Sequence, residues 1–154
     1  TSIYWRDEDA TQQFWTQAEV SGGHYGDKPI FVLIGKGTFS AGELLAHVLQ
    51  SQGRARLVGE QTDGGAHPGA SYRLTPHFEV FIPIGRTIDP LTGGDWEGVG
   101  ITPDIAVLES CQVQTTAHKL ALQAILEHAL PPVNDFEVQY LDEVRGLLAR
   151  MVGG

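Results

Sequence analysis

Ser40 is placed where its hydroxyl could act as a nucleophile. Residues 30–34 (IFVLI) form a short apolar run that predicts a buried, parallel strand, and apolar residues at helical spacing over 44–49 predict a helix that ends at Gly53. Ser40 lies in the glycine-rich turn between the two elements, residues 35–42. Such a turn exposes the serine side chain and points the first free N–H groups of the helix at a bound group, so an oxyanion would be stabilised there.

The same serine also has a purely structural interpretation. Residues 40–43 (SAGE) match a Ser-x-x-Glu capping box, in which Ser40 caps the helix and Glu43 reaches back to it. The nucleophile elbow of α/β-hydrolases is disfavoured, because it needs a glycine where Thr38 stands. Both roles stay open for Ser40, since a serine at a helix start already lies beside N–H donors.

Two other side chains could take part in acid–base chemistry. His67 lies in a glycine loop, residues 61–69, and an imidazole there could act as a base or contact a substrate. Glu97 stands between Trp96 and Gly98, where an apolar ring could partly bury the carboxyl group and let it orient another residue. No His-x-x-x-His spacing or carboxylate cluster predicts a metal, and no cofactor is expected.

The elements that must position these residues predict an α/β fold. Residues 54–59 complete a βαβ unit with the strand and helix on either side of Ser40. Further strands are expected over residues 72–74, 78–84 and 105–108. Helices are expected around residues 10–18 and over 116–130 and 136–151, and a long loop over 85–103.

We divide the chain into an N-terminal linker segment (1–28), a core (29–110) and a helical end (111–154). The apolar stripes of the two terminal helices must be covered. We favour packing within the chain, and self-association into a homo-oligomer is the alternative.

Charge and composition exclude several classes of partner. The 154 residues include 10 Lys and Arg against 19 Asp and Glu, a net charge of -9 that repels nucleic acid and anionic lipid. The longest apolar run has five residues, far short of the ~20 that a membrane span needs. The single cysteine, Cys111, excludes an intrachain disulfide but leaves the cellular compartment open.

Three ordered motifs together resemble the C-terminal processing (tail-specific) serine proteases. They are residues 37–43 (GTFSAGE), 59–68 (GEQTDGGAHP) and 96–104 (WEGVGITPD). Within that family the sequence is similar to the branch of the interphotoreceptor retinoid-binding protein modules and the tricorn protease core. The resemblance covers roughly residues 25–130, and three motifs in order are more specific than any one alone.

The resemblance implies a crotonase-like ββα spiral fold and peptide-bond hydrolysis by a serine nucleophile. Ser40 falls on the nucleophile of the family, and the backbone N–H of Ala41 on an oxyanion-hole donor. Glu97, 57 residues after Ser40, matches an auxiliary catalytic acid of the tricorn-like members. The lysine base of the processing branch is absent, because residues 61–70 contain no lysine.

In the tricorn-like members the base is a histidine well upstream of the nucleophile. We therefore expect this chain to be the C-terminal part of a catalytic domain, whose N-terminal part supplies the base and whose substrate is a polypeptide. The resemblance favours a secreted or periplasmic protein over a cytoplasmic one.

Two other functions stay open. The first is a non-catalytic retinoid- or lipid-binding module, in which the aromatic residues Trp96, Phe78 and Phe81 would line an apolar pocket. Ordinary core packing is the simpler interpretation of these rings. The second is a crotonase-like acyl hydrolase, which would share the architecture.

Overall fold

The computed structural model describes residues 1–23, 26, 28–107 and 110–152. The strands are β1 (Ser2–Trp5), β2 (Ala10–Gln13), β3 (Phe31–Ile34), β4 (Arg56–Gly59), β5 (Gly69–Thr75), β6 (Phe78–Pro83), β7 (Gly85–Ile88) and β8 (Ile105–Ala106). The helices are α1 (Ala41–Ser51), α2 (Ser110–His128) and α3 (Asp135–Val152). None of the helices in these described stretches is long and apolar enough to cross a bilayer.

A parallel sheet of order β3-β4-β8 lies at the centre of the fold. The predicted βαβ unit is confirmed, because β3 pairs in parallel with β4 and α1 connects them. The pair ends with Ile34 opposite Gly59, whose φ is +136°. A Cβ atom at position 59 would lie 1.9 Å from the Ile34 carbonyl oxygen, so only glycine fits where the two strands meet.

The side chains of neighbouring residues in β4 point to opposite faces of this sheet, because successive side chains of a strand alternate between its two faces. Leu57 and Val58 are both fully buried. Leu57 belongs to one cluster with Ile34, Ala46 of α1, Ala66, Trp96 and Ile101. Val58 belongs to a second cluster with Val107 and Ala117 of α2. The class is therefore α/β, with a helix on each face of the sheet.

The terminal helices pack within the chain, as predicted. Helix α2 contacts β3 and β4, and α3 packs against α2. Leu141 and Val144 are the buried residues of α3. Both helices begin earlier than their apolar periodicity alone predicts, at residues 110 and 135.

The helix predicted around residues 10–18 is wrong. Residues 10–13 form strand β2, which pairs antiparallel with β1, and β1 pairs antiparallel with β7. The prediction of an uninterrupted loop over 85–103 is wrong for the same reason, since its first residues are β7. Strand β2 pairs with its sequence neighbour β1, but β1 itself pairs with β7, about 80 residues further along, and that pairing leaves no local signal in the sequence. The division at residue 28 stays a prediction, although the preceding segment contributes two strands.

The two strands predicted within residues 72–84 are confirmed. They are β5 and β6, which pair antiparallel as a separate two-stranded sheet. The aromatic rings of β6 do not join Trp96 in a pocket. Trp96 is buried in the core beside Ile34 and Leu57, whereas Phe78 and Phe81 are largely exposed on the hairpin.

Candidate active site

Ser40 is the N-cap residue of α1 and is exposed to solvent. Its backbone has φ 52° and ψ −115°, which is the conformation of the first central residue of a type II′ turn, where glycine is usual. A serine held in this conformation costs of order 1–3 kcal/mol, and such strain persists only where the surroundings over-determine it. The structure thus confirms a sharp strand-to-helix turn that presents the serine side chain.

The N–H groups at the start of α1 lie next to this hydroxyl. Leu44 N–H donates to the Ser40 carbonyl, and Gly42 N–H donates to the Phe39 carbonyl. No acceptor in the described part of the chain takes the N–H of Ala41, which is exposed at the first helical position. Unpaired N–H groups of this kind, with the positive end of the helix dipole behind them, attract negative charge.

Glu43 is completely buried and holds the turn from beneath. Its Oε2 accepts hydrogen bonds from the N–H groups of Ser40 (2.9 Å) and Gly65 (2.8 Å). Its Oε1 accepts them from the Thr62 hydroxyl (2.5 Å) and the Gly64 N–H (2.8 Å). The contact with Ser40 is the reach-back half of the predicted capping box, and the three contacts with residues 62–65 are additional.

Burial alone would raise the pKa of the Glu43 carboxyl. The hydrogen bonds from Thr62, Gly65, Gly64 and Ser40 outweigh that penalty and hold its pKa below the ordinary value of 4.5. Glu43 is therefore an ionised group at neutral pH, locked into the fold by four donors. Its oxygens are fully occupied, so its role is to shape the turn.

The glycine loop is joined to the loop that carries Glu97. Gly98 N–H donates to the Gly64 carbonyl (2.8 Å), and Ile101 N–H donates to the Thr62 hydroxyl oxygen (2.7 Å). Gly64 has φ +91°, and a Cβ there would lie 2.7 Å from the amide nitrogen of Val99. The close approach of the two loops therefore depends on glycine at position 64.

Glu97 binds the same loop two residues further along. Its Oε2 accepts the N–H groups of Ala66 (2.6 Å) and His67 (2.9 Å). The carboxylate is 39% exposed, and its Oε1 accepts no hydrogen bond from the described residues. One oxygen is thus used to fix the side chain, while the other keeps its hydrogen-bonding capacity.

Ser40 and Glu97 are linked through one stretch of backbone. The N–H of Gly65 shares Glu43 Oε2 with the N–H of Ser40, and the next two amides in the chain bind Glu97. Successive Cα atoms are only ~3.8 Å apart. The serine turn and the Glu97 carboxylate therefore lie against neighbouring peptide groups of the same loop.

The His67 side chain points toward a different set of groups. Its Nε2 lies 3.3 Å from Asp95 Oδ2, and its Nδ1 lies 3.9 Å from Glu97 Oε2. Within the described part of the chain, the Ser40 hydroxyl forms no hydrogen bond with an imidazole or an amine. His67 is thus paired with carboxylates. No three His, Cys, Asp or Glu side chains in the described part of the chain are grouped so that they could hold a metal ion.

A second buried acid, Asp89, stabilises the loop that carries Glu97. Asp89 accepts hydrogen bonds from the Leu91 N–H and the Thr92 hydroxyl, both at 2.9 Å, and lies 3.3 Å from His47 Nε2. Burial would raise the pKa of Asp89, but these donors and the nearby imidazole hold it below the ordinary value of 3.8. The His47 ring in turn packs on Trp96, at 4.9 Å between centroids, which ties α1 to the residue before Glu97.

Sequence reasoning proposed Ser40, Ala41, His67 and Glu97 as site residues and missed the part played by Glu43. The capping-box pattern was the only available signal for Glu43, and it predicts only the contact back to Ser40. Glu43 is buried by, and hydrogen-bonded to, a loop about 20 residues away in the sequence, residues 62–65. No local sequence pattern predicts this contact.

Comparison with known proteins shows the family to which this chain belongs. The model of peptidase family S41 matches residues 3–107. A carboxyl-terminal-processing protease of Synechocystis is 33% identical over 107 residues, which cover 70% of this chain and 24% of that protein. A carboxy-terminal-processing protease of Bartonella bacilliformis is 36% identical over 81 residues, 53% of this chain and 18% of that protein.

A similar fold is found in the crystal structure of mature CPAF. The TM-score is 0.55 at 22% identity, with 67% of this chain and 22% of that chain covered. The chain belongs to peptidase family S41. It spans about a quarter of the length of the Synechocystis relative.

Proposed function

We propose that this chain carries the nucleophile and the auxiliary acid of a serine-type peptidase that hydrolyses peptide bonds of polypeptides. The observation that carries the proposal is the strained, exposed Ser40 at the head of α1, with φ 52° and ψ −115°. Strain of this kind is concentrated at functional sites, because an ordinary cap does not require it. Membership of peptidase family S41 supports the same activity.

In the proposed reaction the Ser40 Oγ attacks the carbonyl carbon of the scissile peptide bond. The carbonyl oxygen becomes an oxyanion that takes a hydrogen bond from the free N–H of Ala41 at the first turn of α1. One donor of this type contributes ~2.7–4 kcal/mol to the transition state. Collapse of the intermediate expels the amine and leaves an acyl group on Ser40, which water then removes.

A base must accept the proton of the Ser40 hydroxyl. We assign this step to a histidine outside the 154 residues, as the resemblance to the tricorn-like proteases implies. Glu97 would orient that imidazole through Oε1, since its Oε2 is already held by the N–H groups of Ala66 and His67. A carboxylate fixed by two backbone donors is pre-organised for this role.

We also propose that the α/β fold of this chain is a crotonase-like ββα spiral core. It is supported by the parallel β3-β4-β8 sheet, with α1 on one face and α2 on the other. The retinoid- or lipid-binding alternative is less well supported, because Trp96 is core and the exposed rings of Phe78 and Phe81 lie on a hairpin.

The test is peptidase activity of the natural full-length protein on an unstructured peptide, with labelling by a serine-reactive phosphonate. Ser40→Ala should lower turnover at least about a thousandfold and abolish labelling. Glu97→Gln should lower kcat while labelling persists at a reduced rate. Ser21→Ala, which changes an exposed serine outside the site, is the matched control and should leave both unchanged.

Unchanged cleavage by Ser40→Ala would reject the nucleophile. Saturable binding of retinol together with no phosphonate labelling of the wild-type protein would favour the carrier. Thioester turnover without peptide cleavage would favour the acyl hydrolase.

A further inference from the structure

Two buried ring nitrogens near Glu97 have no hydrogen-bond partner within the described part of the chain. They are His47 Nε2 and Trp96 Nε1. Trp96 directly precedes Glu97, whereas His47 lies on α1. A buried polar atom without a hydrogen-bond partner is rare enough in a native protein to need an explanation, and a role at a functional site is one. The reaction proposed above uses neither of these two residues.

His47 contacts two residues of the loop that ends at Glu97. Its Nε2 lies 3.3 Å from Asp89 Oδ2, and its ring centroid lies 4.9 Å from that of Trp96, with the ring planes at 38°. Asp89 and Trp96 are both 4% exposed, so the two contacts are shielded from water. Electrostatic attraction is stronger in such surroundings than at the surface. One side chain of α1 thus holds this loop at two separate points.

The backbone of the loop turns at both of these points. Asp89 N–H donates to the Gly94 carbonyl at 2.9 Å. The Trp96 carbonyl accepts the N–H of Gly100 at 2.9 Å, so Glu97 is the first residue inside the turn that begins at Trp96. The position of Trp96 therefore fixes where the backbone of Glu97 lies.

Helix α1 also carries the acid that holds the Ser40 turn. Glu43 and His47 stand at positions i and i+4, so they lie one turn apart on the same face of the helix. Glu43 binds the N–H of Ser40 and the glycine loop, while His47 contacts the loop of Glu97. The placement of the Glu97 carboxylate relative to Ser40 therefore depends on contacts made from one face of α1.

We propose that His47 is a positioning residue, which holds Glu97 in register with Ser40 through its two contacts with the loop. This inference rests on the proposed function, because it takes Glu97 to be the auxiliary acid. Glu97 needs such support, since the described residues bind only one of its oxygens and glycines flank it on both sides of the turn. Catalytic groups must be held within about 0.5 Å of their productive geometry.

Two variants of the natural full-length protein separate the two contacts of His47. His47→Phe keeps a ring beside Trp96 but has no nitrogen to face Asp89, whereas His47→Gln keeps an N–H donor but has no ring. We expect each variant to slow phosphonate labelling of Ser40, and to lower kcat, by about tenfold, because a small displacement of a catalytic group is costly. KM should stay within about twofold, since neither variant removes a contact with the substrate.

The effect of His47 on the reaction should pass through Glu97. In the Glu97→Gln background, His47→Phe should slow labelling by less than about twofold, because the carboxylate that His47 positions is already lost. A residue that only stabilises the fold would slow labelling by the same factor in both backgrounds. His118→Phe is the matched control, because His118 is an exposed histidine of α2. It should leave labelling and kcat unchanged in either background.

Hydrogen exchange gives a readout that does not depend on activity. The backbone N–H groups of residues 66–67 donate to Glu97, and those of residues 64–65 donate to Glu43. Both His47 variants should speed exchange at residues 66–67 by about tenfold or more and leave residues 64–65 as well protected as in the wild-type protein. A general loosening of the fold would instead speed exchange at all four amides.

Slowing of labelling by only one His47 variant assigns the positioning to the contact which that variant removes. Equal slowing in the two backgrounds, wild-type labelling in both variants, or exchange at residues 66–67 that is unchanged or rises together with that at 64–65 would overturn the role of His47. The proposed function fails separately. Cleavage by Ser40→Ala, or wild-type labelling in Glu97→Gln, would reject the peptidase assignment, whereas the exchange pattern still decides whether His47 holds Glu97.

Discussion

Replacement of Glu43 by glutamine should destabilise the fold strongly, although it changes a single oxygen. The carboxylate accepts four hydrogen bonds, two on each oxygen. The amide group of glutamine has only one acceptor oxygen, so its NH₂ must face at least one backbone N–H that cannot turn away. A buried donor left unsatisfied costs ~1–3 kcal/mol, and hydrogen bonds to a neutral acceptor are each weaker than those to a charged one.

Glutamine is neutral, so the variant avoids the cost of burying a charge, and this gain offsets part of the loss. We therefore expect Glu43→Gln to lower the free energy of unfolding by about 2–4 kcal/mol, out of a typical total of 5–15 kcal/mol. The assay is denaturant unfolding followed by tryptophan fluorescence at pH 7. Glu127→Gln, an exposed glutamate of α2, is the control and should change stability by less than about 0.5 kcal/mol.

The same variant has a local signature. The amides of Gly64 and Gly65 donate to Glu43 and should be protected from hydrogen exchange in the wild-type protein. Both should exchange faster in Glu43→Gln. A loss of stability below 1 kcal/mol with an unchanged denaturant slope, or unaltered protection of these two amides, would refute the reasoning that Glu43 holds the Ser40 turn.

Three other perturbations test the same architecture. Ser40→Gly should be at least as stable as the wild-type protein in thermal unfolding, because glycine adopts φ 52° freely and the relief of strain exceeds the few tenths of a kcal/mol that glycine costs at an ordinary N-cap; a clear loss of stability would argue against strain. Stability should fall with acid below about pH 5, because Glu43 and Asp89 have lowered pKa values in the folded state and the unfolded chain binds protons first; a pH titration of unfolding should show a shallower fall for Glu43→Gln. Gly64→Ala should cost more than about 2 kcal/mol, since φ is +91° and the new Cβ meets backbone, whereas Gly23→Ala in open space should cost nearly nothing; equal effects would contradict the close approach of the two loops.

Local pattern was sufficient for the elements whose stabilising contacts are close in the sequence. The apolar run before Ser40, the helical spacing after it and the glycine that ends α1 predict the β3–α1–β4 unit as it is observed. The hairpin of β5 and β6 could be predicted for the same reason, because the partial alternation of β6 and the short turn before it are local features. Helix α1 and the position of Ser40 at its head followed from the same signals.

The amino-acid sequence by itself determined the class of fold, the serine turn and the order of the three motifs, because strand and helix periodicities and turn residues act over a few positions. Tertiary structure alone decided that β1 joins β7 and that Glu43 is buried beneath the turn. Each of these depends on groups some 20 to 80 residues apart. Such contacts form only when the chain closes on itself, so residue type and spacing carry no trace of them.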